Sequence, residues 1–249
     1  MISTIYILWL RQIKRYLRSR ARIVGSLGQP ILFLIALGFG FGPIYAKAGG
    51  GNYLQFLAPG VICMSILFTS IFSGIEIIWD RQFGFLKETL VAPVPRIVIM
   101  FGRTLGGATV GVMQGLIVFC ISLIAGFRPD SWAMLPVAFV FMFTIALLFT
   151  ALGTAIASML EDMQGFQLIM NFLVMPLFFL SGALFPLEGL TGAMAVVTRV
   201  DPLSYGVDAI RGTLTGLSHF GLGLDIAILA IVTALCMVIG SKLFERIQV

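Results

Sequence analysis

The chain has 249 residues, of which 59% are hydrophobic and only 11% are charged, and its mean hydropathy is +1.05. Because a soluble domain usually carries about 25% charged residues, this composition excludes an ordinary soluble protein and places the chain in a bilayer. The net charge of +5 reflects a run of cations near the N-terminus with no acid among them: Arg11, Lys14, Arg15, Arg18, Arg20 and Arg22. In a membrane-bound chain such a run indicates contact with anionic lipid rather than with nucleic acid.

At 100° per residue, residues 3–22 place their apolar side chains on one helix face and all of these cations except Arg20 on the opposite face. This pattern predicts an interfacial helix in the headgroup layer, with its cations directed to anionic lipid. A cleavable signal peptide is excluded because the basic region is too long and the apolar run that follows exceeds the usual core of such a peptide.

Six stretches without Asp, Glu, Lys or Arg follow: 23–46, 48–75, 104–127, 131–160, 163–187 and 226–241. Crossing the hydrocarbon takes about 20 apolar residues, which the first five exceed and the last reaches with its flanking residues. The sequence therefore predicts an all-α polytopic membrane protein with six transmembrane helices, forming a single transmembrane domain over residues 1–249.

The distribution of Lys and Arg predicts the orientation of these spans. If the N-terminus is cytoplasmic, that side holds the six N-terminal cations together with Arg81, Lys87, Arg96, Arg103, Lys242 and Arg246. The other side holds only Lys47, Arg128, Arg199 and Arg211. Because cytoplasmic loops carry the excess of Lys and Arg, we expect both termini to be cytoplasmic.

The segment 80–96 is the longest charged interruption between apolar runs in the first two thirds of the chain. It combines an apolar stripe with charges of both signs, and Pro93 and Pro95 prevent a helix from continuing. The pattern predicts a short amphipathic helix that docks a partner in the water. Its candidate contact residues are Arg81, Gln82, Phe83, Phe85, Leu86, Lys87, Glu88 and Leu90.

The segment 188–221 carries several charges and glycines, and its apolar stretch is too short to cross a membrane. We interpret it as helices that lie on the outer face or dip into it, as segments beside a pathway do. Two contacts are predicted inside the bundle. The glycines between Gly102 and Gly115 indicate close helix packing, and Glu76 and Arg103 are expected to pair.

The sequence lacks the residues that several functional classes require. Cys63, Cys120 and Cys236 lie singly in apolar runs and His219 is the only histidine, so neither a metal site nor a catalytic set is expected. No G-x-x-x-x-G-K-[ST] loop is present to hold nucleotide phosphates. Charges are almost absent from the middle of the spans, which argues against a carrier driven by protons or sodium. A transporter of this kind needs energy from outside the chain.

Three segments carry a family resemblance: 85–96 (FLKETLVAPVPR), 179–187 (FLSGALFPL) and 201–212 (DPLSYGVDAIRG). In that order they resemble the first cytoplasmic loop, the fifth span and the motif before the last span of the ABC-2 type permeases, and in particular of the drug-exporter and Nod-factor-exporter permeases of bacteria. The family usually has Asn-Pro where this chain has Asp201-Pro202. The three segments in order cover nearly the whole chain.

The resemblance implies a homodimer, or a pair with a similar subunit, working with two separate ATP-binding subunits that hold ATP and Mg²⁺. It implies export of an amphiphilic drug, lipid or lipid-linked saccharide across a bacterial inner membrane, and no cofactor or enzymatic activity in this chain itself. The loop around Gln82–Leu90 would be the coupling helix. An external gate would include Asp201, Pro202, Tyr205, Asp208 and Arg211, and the translocation path Phe33, Phe172, Phe178 and Phe179.

Two alternatives stay open from the residues. An ATP-independent lipid scramblase or secondary carrier would lack midplane charges and leave the docking loop without a role. An intramembrane enzyme would need a catalytic constellation that the sequence does not contain.

Overall fold

The computed structural model describes residues 2–47, 51–86, 89, 93–187 and 192–245. Of the described residues 84% are helical, and none of them lies in a strand. Six helical segments are long and apolar enough to cross a membrane, and we number them spans 1 to 6: Arg20–Lys47, Tyr53–Gln82, Arg96–Ile124, Trp132–Met159, Met163–Leu180 and Leu222–Glu245. The prediction of an all-α polytopic membrane protein with six spans is confirmed.

Two of the spans are interrupted along their length. Span 1 consists of the α-helix Arg20–Phe33, the π-helical turn Leu34–Phe39 and the short helix Gly42–Lys47. The π-helical turn follows Pro30, which removes one backbone hydrogen-bond donor from the helix. Span 2 consists of the helices Tyr53–Phe72 and Ile75–Gln82, so it extends past the charge-free run that predicted it. The first residues of the predicted loop 80–96 are therefore helical and belong to span 2.

Span 2 is the centre of the bundle. Of its most apolar stretch 72% is buried, against 11% in span 1 and 17% in span 6. Spans 3 and 4 pack against it and complete the core, whereas spans 1, 5 and 6 leave much of their apolar surface exposed. In a bilayer such surface contacts lipid or another membrane helix without cost.

The glycines of span 3 allow the close packing that the sequence predicts, and they do so on two faces. A Cβ atom at Gly111 would lie 2.1 Å from Ser70 Oγ of span 2, and one at Gly107 would lie 2.5 Å from Ser73 Oγ. On the other face, a Cβ at Gly106 would lie 2.6 Å from Gln12 Cγ. Span 3 is therefore held closely both by span 2 and by the helix Ile2–Arg18, which we call the N-terminal helix.

Contacts between helix ends define the two sides of the bundle. The side chain of Arg96, at the start of span 3, donates to the carbonyl of Glu245 at the end of span 6 (2.6 Å), and the N-terminal helix packs on Gly102 nearby. We call this the N-terminal side. On the opposite side Tyr53 donates its hydroxyl proton to the carbonyl of Leu184 (3.0 Å).

Two short helices precede span 6 on the opposite side, Ala193–Val200 and Pro202–Thr215, and we call the second the outer helix. Asp201 caps the outer helix by accepting from the backbone N–H of Leu203 (2.8 Å). Nearly every side chain of the outer helix is buried against spans 2, 4 and 6. The segment predicted at 188–221 thus enters the bundle, while its residues 188–191 lie outside the described part of the chain.

Candidate partner-docking face

The N-terminal helix ends at Arg18, earlier than the predicted 3–22. Ser19 departs from helical geometry, and Arg20 begins span 1. Two hydrogen bonds fasten the helix to span 3: Trp9 Nε1 donates to Thr109 Oγ1 (3.0 Å), and the Tyr16 hydroxyl donates to Gln114 Oε1. Tyr16 is 1% exposed, and burial raises the pKa of its hydroxyl above the usual value. The helix is therefore packed into the bundle as well as lying along it.

An ion-pair cluster joins this helix to spans 2 and 3. Asp80 accepts from Arg103 of span 3 (2.5 Å) and from Arg11 of the N-terminal helix (2.9 Å). One turn earlier in span 2, Glu76 accepts from Arg22 (2.8 Å) and lies 3.5 Å from Arg15. Both carboxylates are nearly buried. Because removing one partner from a buried pair leaves an uncompensated charge, at a cost of about 3–5 kcal/mol, the cluster fixes how the N-terminal helix and spans 1, 2 and 3 sit together.

The structure corrects two predictions here. Arg103 pairs with Asp80, whereas Glu76, its predicted partner, contacts Arg15 and Arg22 instead. The cations of residues 3–22 were expected to face lipid, yet Arg11, Arg15 and Arg22 are directed to the acids of span 2. A signal for this arrangement was present in the sequence. Glu76 and Asp80 are four residues apart, as are Arg11 and Arg15, so each pair lies on one helix face and the two faces are complementary.

A groove of about 840 Å³ opens beside this cluster, on the N-terminal side, and we call it the docking groove. The N-terminal helix forms one wall and the end of span 2 with the following turn forms the other. The groove is both cationic and aromatic. Its lining residues are Ile7, Leu10, Arg11, Lys14, Arg15, Arg18, Ser19, Trp79, Asp80, Phe83 and Phe85.

Two phenylalanines are presented at the rim of this groove. Phe83 is 70% exposed and Phe85 is 52% exposed. The guanidinium of Arg11 lies 5.4 Å from the ring centre of Phe85, and that of Arg15 lies 5.4 Å from the ring of Trp79. Such cation–π contacts hold the rings in place. The chain thus exposes an ordered aromatic surface with cations beside it.

The turn after span 2 is anchored on its far side to the connection between spans 4 and 5. Arg81 Nη1 donates to the carbonyl of Leu160 (3.1 Å), and Gln82 Nε2 donates to the carbonyl of Glu161 (3.3 Å). These two predicted contact residues therefore hold the turn in place. A displacement of the turn would be transmitted to spans 4 and 5 as well as to span 2.

The predicted amphipathic helix begins later than expected. Gly84 has a φ of +80°, which ends the helix of span 2. A new helical turn starts at Phe85, where the Thr89 hydroxyl donates to the Phe85 carbonyl (2.9 Å). Leu86 was predicted as a contact residue, but it is 0% exposed and packs in the chain's own core. The remaining predicted contact residues, Lys87, Glu88 and Leu90, lie outside the described residues.

On the opposite side, the predicted gate residues are all held by contacts within the chain. Asp208 accepts from Ser218 Oγ and from two backbone N–H groups of the following loop, and the Tyr205 hydroxyl donates to the Arg199 carbonyl (2.8 Å). Pro202 occupies the first turn of the outer helix, directly after the cap residue Asp201. Burial raises the pKa of the Asp201 carboxyl to about 7.

Arg211, the fifth predicted gate residue, joins the outer helix to two spans. It donates to the Gly182 carbonyl beyond span 5 (3.0 Å), and its guanidinium lies 3.9 Å from the ring centre of Phe56 in span 2. Burial lowers the pKa of this guanidinium to about 10. The outer helix is thereby tied to both spans.

The predicted path residues separate into two places. Phe178 packs edge-on against Phe33 of span 1 (5.9 Å between ring centres) and against Phe179 (5.5 Å). Phe178 is 1% exposed, so in this conformation it joins spans 1 and 5 and is not on a surface. Phe172 does not join this group and is 83% exposed. No cluster of three or more His, Cys, Asp or Glu side chains in the described part of the chain could hold a metal ion.

Comparison with known proteins identifies the family. A family model described as ABC-2 type transporter matches residues 3–215, from the N-terminal helix to the end of the outer helix. The chain belongs to the ABC-2 type transporter family. The match includes the docking groove and five of the six spans.

Three relatives align with this ABC-2 type permease over nearly its full length. The putative transport permease ycf38 of Cyanophora paradoxa is 26% identical, covering 99% of the chain and 89% of the relative. Nodulation protein J of Rhizobium meliloti (strain 1021) is 27% identical, covering 91% and 86%. The inner membrane transport permease YadH of Escherichia coli (strain K12) is 26% identical, covering 96% and 93%. The ABC-2 resemblance noted in the sequence is confirmed.

Proposed function

We propose that this chain is the membrane subunit of an ATP-driven ABC exporter that moves an amphiphilic or lipid-like substrate, such as a drug, a lipid or a lipid-linked saccharide, across a bacterial inner membrane. Two separate ATP-binding subunits bind ATP and Mg²⁺, and a second copy of the chain completes the pathway. Both termini and the docking groove face the cytoplasm. Family membership, the names of the relatives and the excess of Lys and Arg on the N-terminal side support this proposal.

The exposed aromatic surface of the docking groove is the observation that carries the proposal. Phe83 and Phe85 stand open at the rim, beside Lys14 and Arg18. Aromatic and arginine side chains are enriched at the energetic centres of protein interfaces. A soluble subunit that covered the two rings would bury their apolar area, and its acidic groups would meet the cations of the N-terminal helix.

The ion-pair cluster explains how force from such a subunit reaches the spans. Asp80 connects the groove wall to Arg103 of span 3, and Arg81 and Gln82 connect the turn to the loop after span 4. When ATP draws the two ATP-binding subunits together, the docked turns move with them. Because these connections are short and partly buried, the displacement passes to spans 2, 3 and 4 as a unit, and from them to the outer helix.

The predicted coupling residues take different roles in this proposal. Phe83 and Phe85 bind the partner, while Arg81, Gln82 and Leu86 position the turn. Leu90 adds to the apolar anchor, and Lys87 and Glu88 set the register of docking, since charges determine specificity more than affinity. Asp201, Pro202, Tyr205, Asp208 and Arg211 form the outer closure, and Phe33, Phe172, Phe178 and Phe179 border the path when the dimer opens.

The test is to purify the tagged chain from its native membrane, identify an ATP-binding subunit present in equal amount, and measure the affinity of the pair. The double variant Phe83→Ala, Phe85→Ala is expected to bind this subunit at least tenfold more weakly, because both apolar anchors are lost. ATP-dependent transport by reconstituted vesicles should fall in parallel.

Phe139→Ala is the matched control, since Phe139 is 47% exposed on span 4 and lies outside the groove. It should leave binding and transport unchanged. Equal affinity of the double variant and the control would refute the docking assignment. Lipid movement in vesicles without any nucleotide would instead identify a scramblase.

A further inference from the structure

A second cavity, of about 270 Å³, lies inside the N-terminal side of the bundle, and we call it the inner cavity. Its walls come from the N-terminal helix, the first turns of span 1, span 2 and span 3. It shares no lining residue with the docking groove. An occupant of the inner cavity would therefore not fill the docking groove.

One end of the inner cavity is polar and carries a net positive charge. Arg22 Nη1 donates to Glu76 Oε1 there (2.8 Å), and the other N–H groups of this guanidinium have no acceptor among the described residues. The side chain of Arg22 is 40% exposed and lines the cavity. The adjoining cluster contains two carboxylates and four guanidinium groups. Its net charge is therefore positive, which favours binding of an anion at this end. The four cations are Arg11, Arg15, Arg22 and Arg103.

The rest of the inner cavity is mostly apolar, although Ser65, Thr69 and Ser73 also line it, and it runs along span 2. Its wall there includes Pro30, Met64, Phe68 and Phe72. Met64 lies roughly 18 Å from Glu76 along span 2, at 1.5 Å per helical residue. The cavity thus extends from the beginning of span 1 along the middle of span 2.

A buried hydroxyl at the apolar end lacks a partner. Ser65 is 3% exposed and lines the inner cavity, and its Oγ has no hydrogen-bond partner among the described residues. Buried polar groups are normally paired. This side chain can therefore be replaced without breaking a hydrogen bond within the chain.

We propose that the inner cavity binds one membrane amphiphile with an anionic phosphate headgroup. The free N–H groups of Arg22 hold the headgroup, and the hydrocarbon chain lies along Phe68 and Phe72 towards Met64. Glu76 accepts a hydrogen bond from Arg22 Nη1 and so holds the Arg22 side chain at the mouth of the cavity. A free phosphate ion would use the polar end alone and leave the apolar end empty.

The test titrates the detergent-purified full-length chain with phosphatidylglycerol, with phosphatidylcholine of the same acyl chains, or with inorganic phosphate, and follows its thermal denaturation. Phosphatidylglycerol should raise the denaturation midpoint saturably. Phosphatidylcholine should bind about tenfold more weakly because its choline cation opposes the net positive charge. Phosphate alone should have no effect at the same concentrations, and an equal effect of phosphate would overturn the assignment of an amphiphile.

Two variants locate the site. Arg22→Gln should weaken phosphatidylglycerol binding about tenfold, which is about 1.4 kcal/mol, and abolish the preference over phosphatidylcholine. Its matched control is Arg20→Gln, which removes an exposed cation two residues away that does not line the cavity. Ser65→Leu fills the apolar end and should weaken binding of both lipids. Equal losses for Arg22→Gln and Arg20→Gln, or wild-type binding by Ser65→Leu, would overturn the proposal.

Discussion

Asp201 is a buried carboxylate on the opposite side of the bundle. It is 5% exposed, its Oδ1 accepts from the Leu203 backbone, and its Oδ2 has no partner among the described residues. Burial raises its pKa from 3.8 to about 7. As pH rises through this window, the unfolded chain loses the proton first. The folded form is therefore destabilised by up to roughly 4 kcal/mol between pH 4 and 7.

Asp201→Asn should remove this pH dependence. An asparagine amide oxygen can still accept from the Leu203 N–H, and it carries no charge to desolvate. We expect the variant to denature at a higher temperature than the wild type at pH 8, and by a clearly smaller margin at pH 5, where only about a third of the destabilisation has developed. Asp130→Asn, at an exposed carboxylate on the same side, is the control. An equal difference at both pH values would show that the Asp201 carboxyl does not titrate in this range.

At the scale of whole helices, the closest approach is between spans 2 and 4. A Cβ atom at Gly153 would lie 2.1 Å from the Ile71 carbonyl oxygen, and one at Gly74 would lie 2.4 Å from the Gly153 carbonyl oxygen. The obstacles are backbone atoms, which cannot rotate away as a side chain can. The two backbones therefore touch at the break in span 2, next to the ion-pair cluster.

Gly153→Ala should force spans 2 and 4 apart. We expect a markedly lower yield of folded protein and a lower denaturation midpoint, since overpacking commonly costs about 1–3 kcal/mol. Gly28→Ala in span 1 is the control, because no atom lies within 4 Å of its added Cβ, and alanine favours a helix over glycine by about 1 kcal/mol. If both variants behaved alike, the contact of spans 2 and 4 would not limit stability.

The spans and their contacts also show what could and could not be predicted from the sequence. Run length and absence of charge located all six spans, because hydrocarbon thickness imposes a minimum length on any one of them. The glycines of span 3 were visible as a repeated small-residue pattern. Gly74 and Gly153 form only isolated small-xxx-small pairs, with Ser70 and Ala157, and such a pair does not indicate which helix it contacts. The pairing of Glu76 with Arg22 instead of Arg103 depends on the rotation of three helices, which local spacing does not determine.

The same limit applies to the docking face. The composition of residues 80–96 indicated an amphipathic surface, and Phe83 and Phe85 are exposed on it. The sequence could not show that Leu86 turns inward, because the left-handed turn at Gly84 resets the helix phase after span 2. Nor did it show that the N-terminal helix supplies the opposite wall of the groove. That arrangement results from the Asp80 ion pairs between elements distant in the chain.

At the scale of the whole molecule, the proposed function requires the docking groove to face the cytoplasm. Single cysteines in an otherwise cysteine-free chain can test this, with Cys63, Cys120 and Cys236 replaced by alanine. Gln82→Cys marks the exposed turn beside the groove, and Ser131→Cys marks an exposed residue before span 4. A membrane-impermeant maleimide should label Ser131→Cys in intact spheroplasts and Gln82→Cys only in inverted vesicles.

The two positions control for each other, because the bundle places them at opposite ends of span 3. Labelling of Gln82→Cys in intact spheroplasts, with Ser131→Cys protected, would put the groove outside the cell, where no ATP-binding subunit can reach it. We expect Gln82→Cys to be labelled only in inverted vesicles, because the N-terminal side carries most of the Lys and Arg residues and such a side is usually cytoplasmic. The ion pairs of Asp80 with Arg11 and of Glu76 with Arg15 fix the N-terminal helix to the same side as the groove. The side of the membrane on which the turn at Gln82 lies therefore reports the orientation of the whole chain.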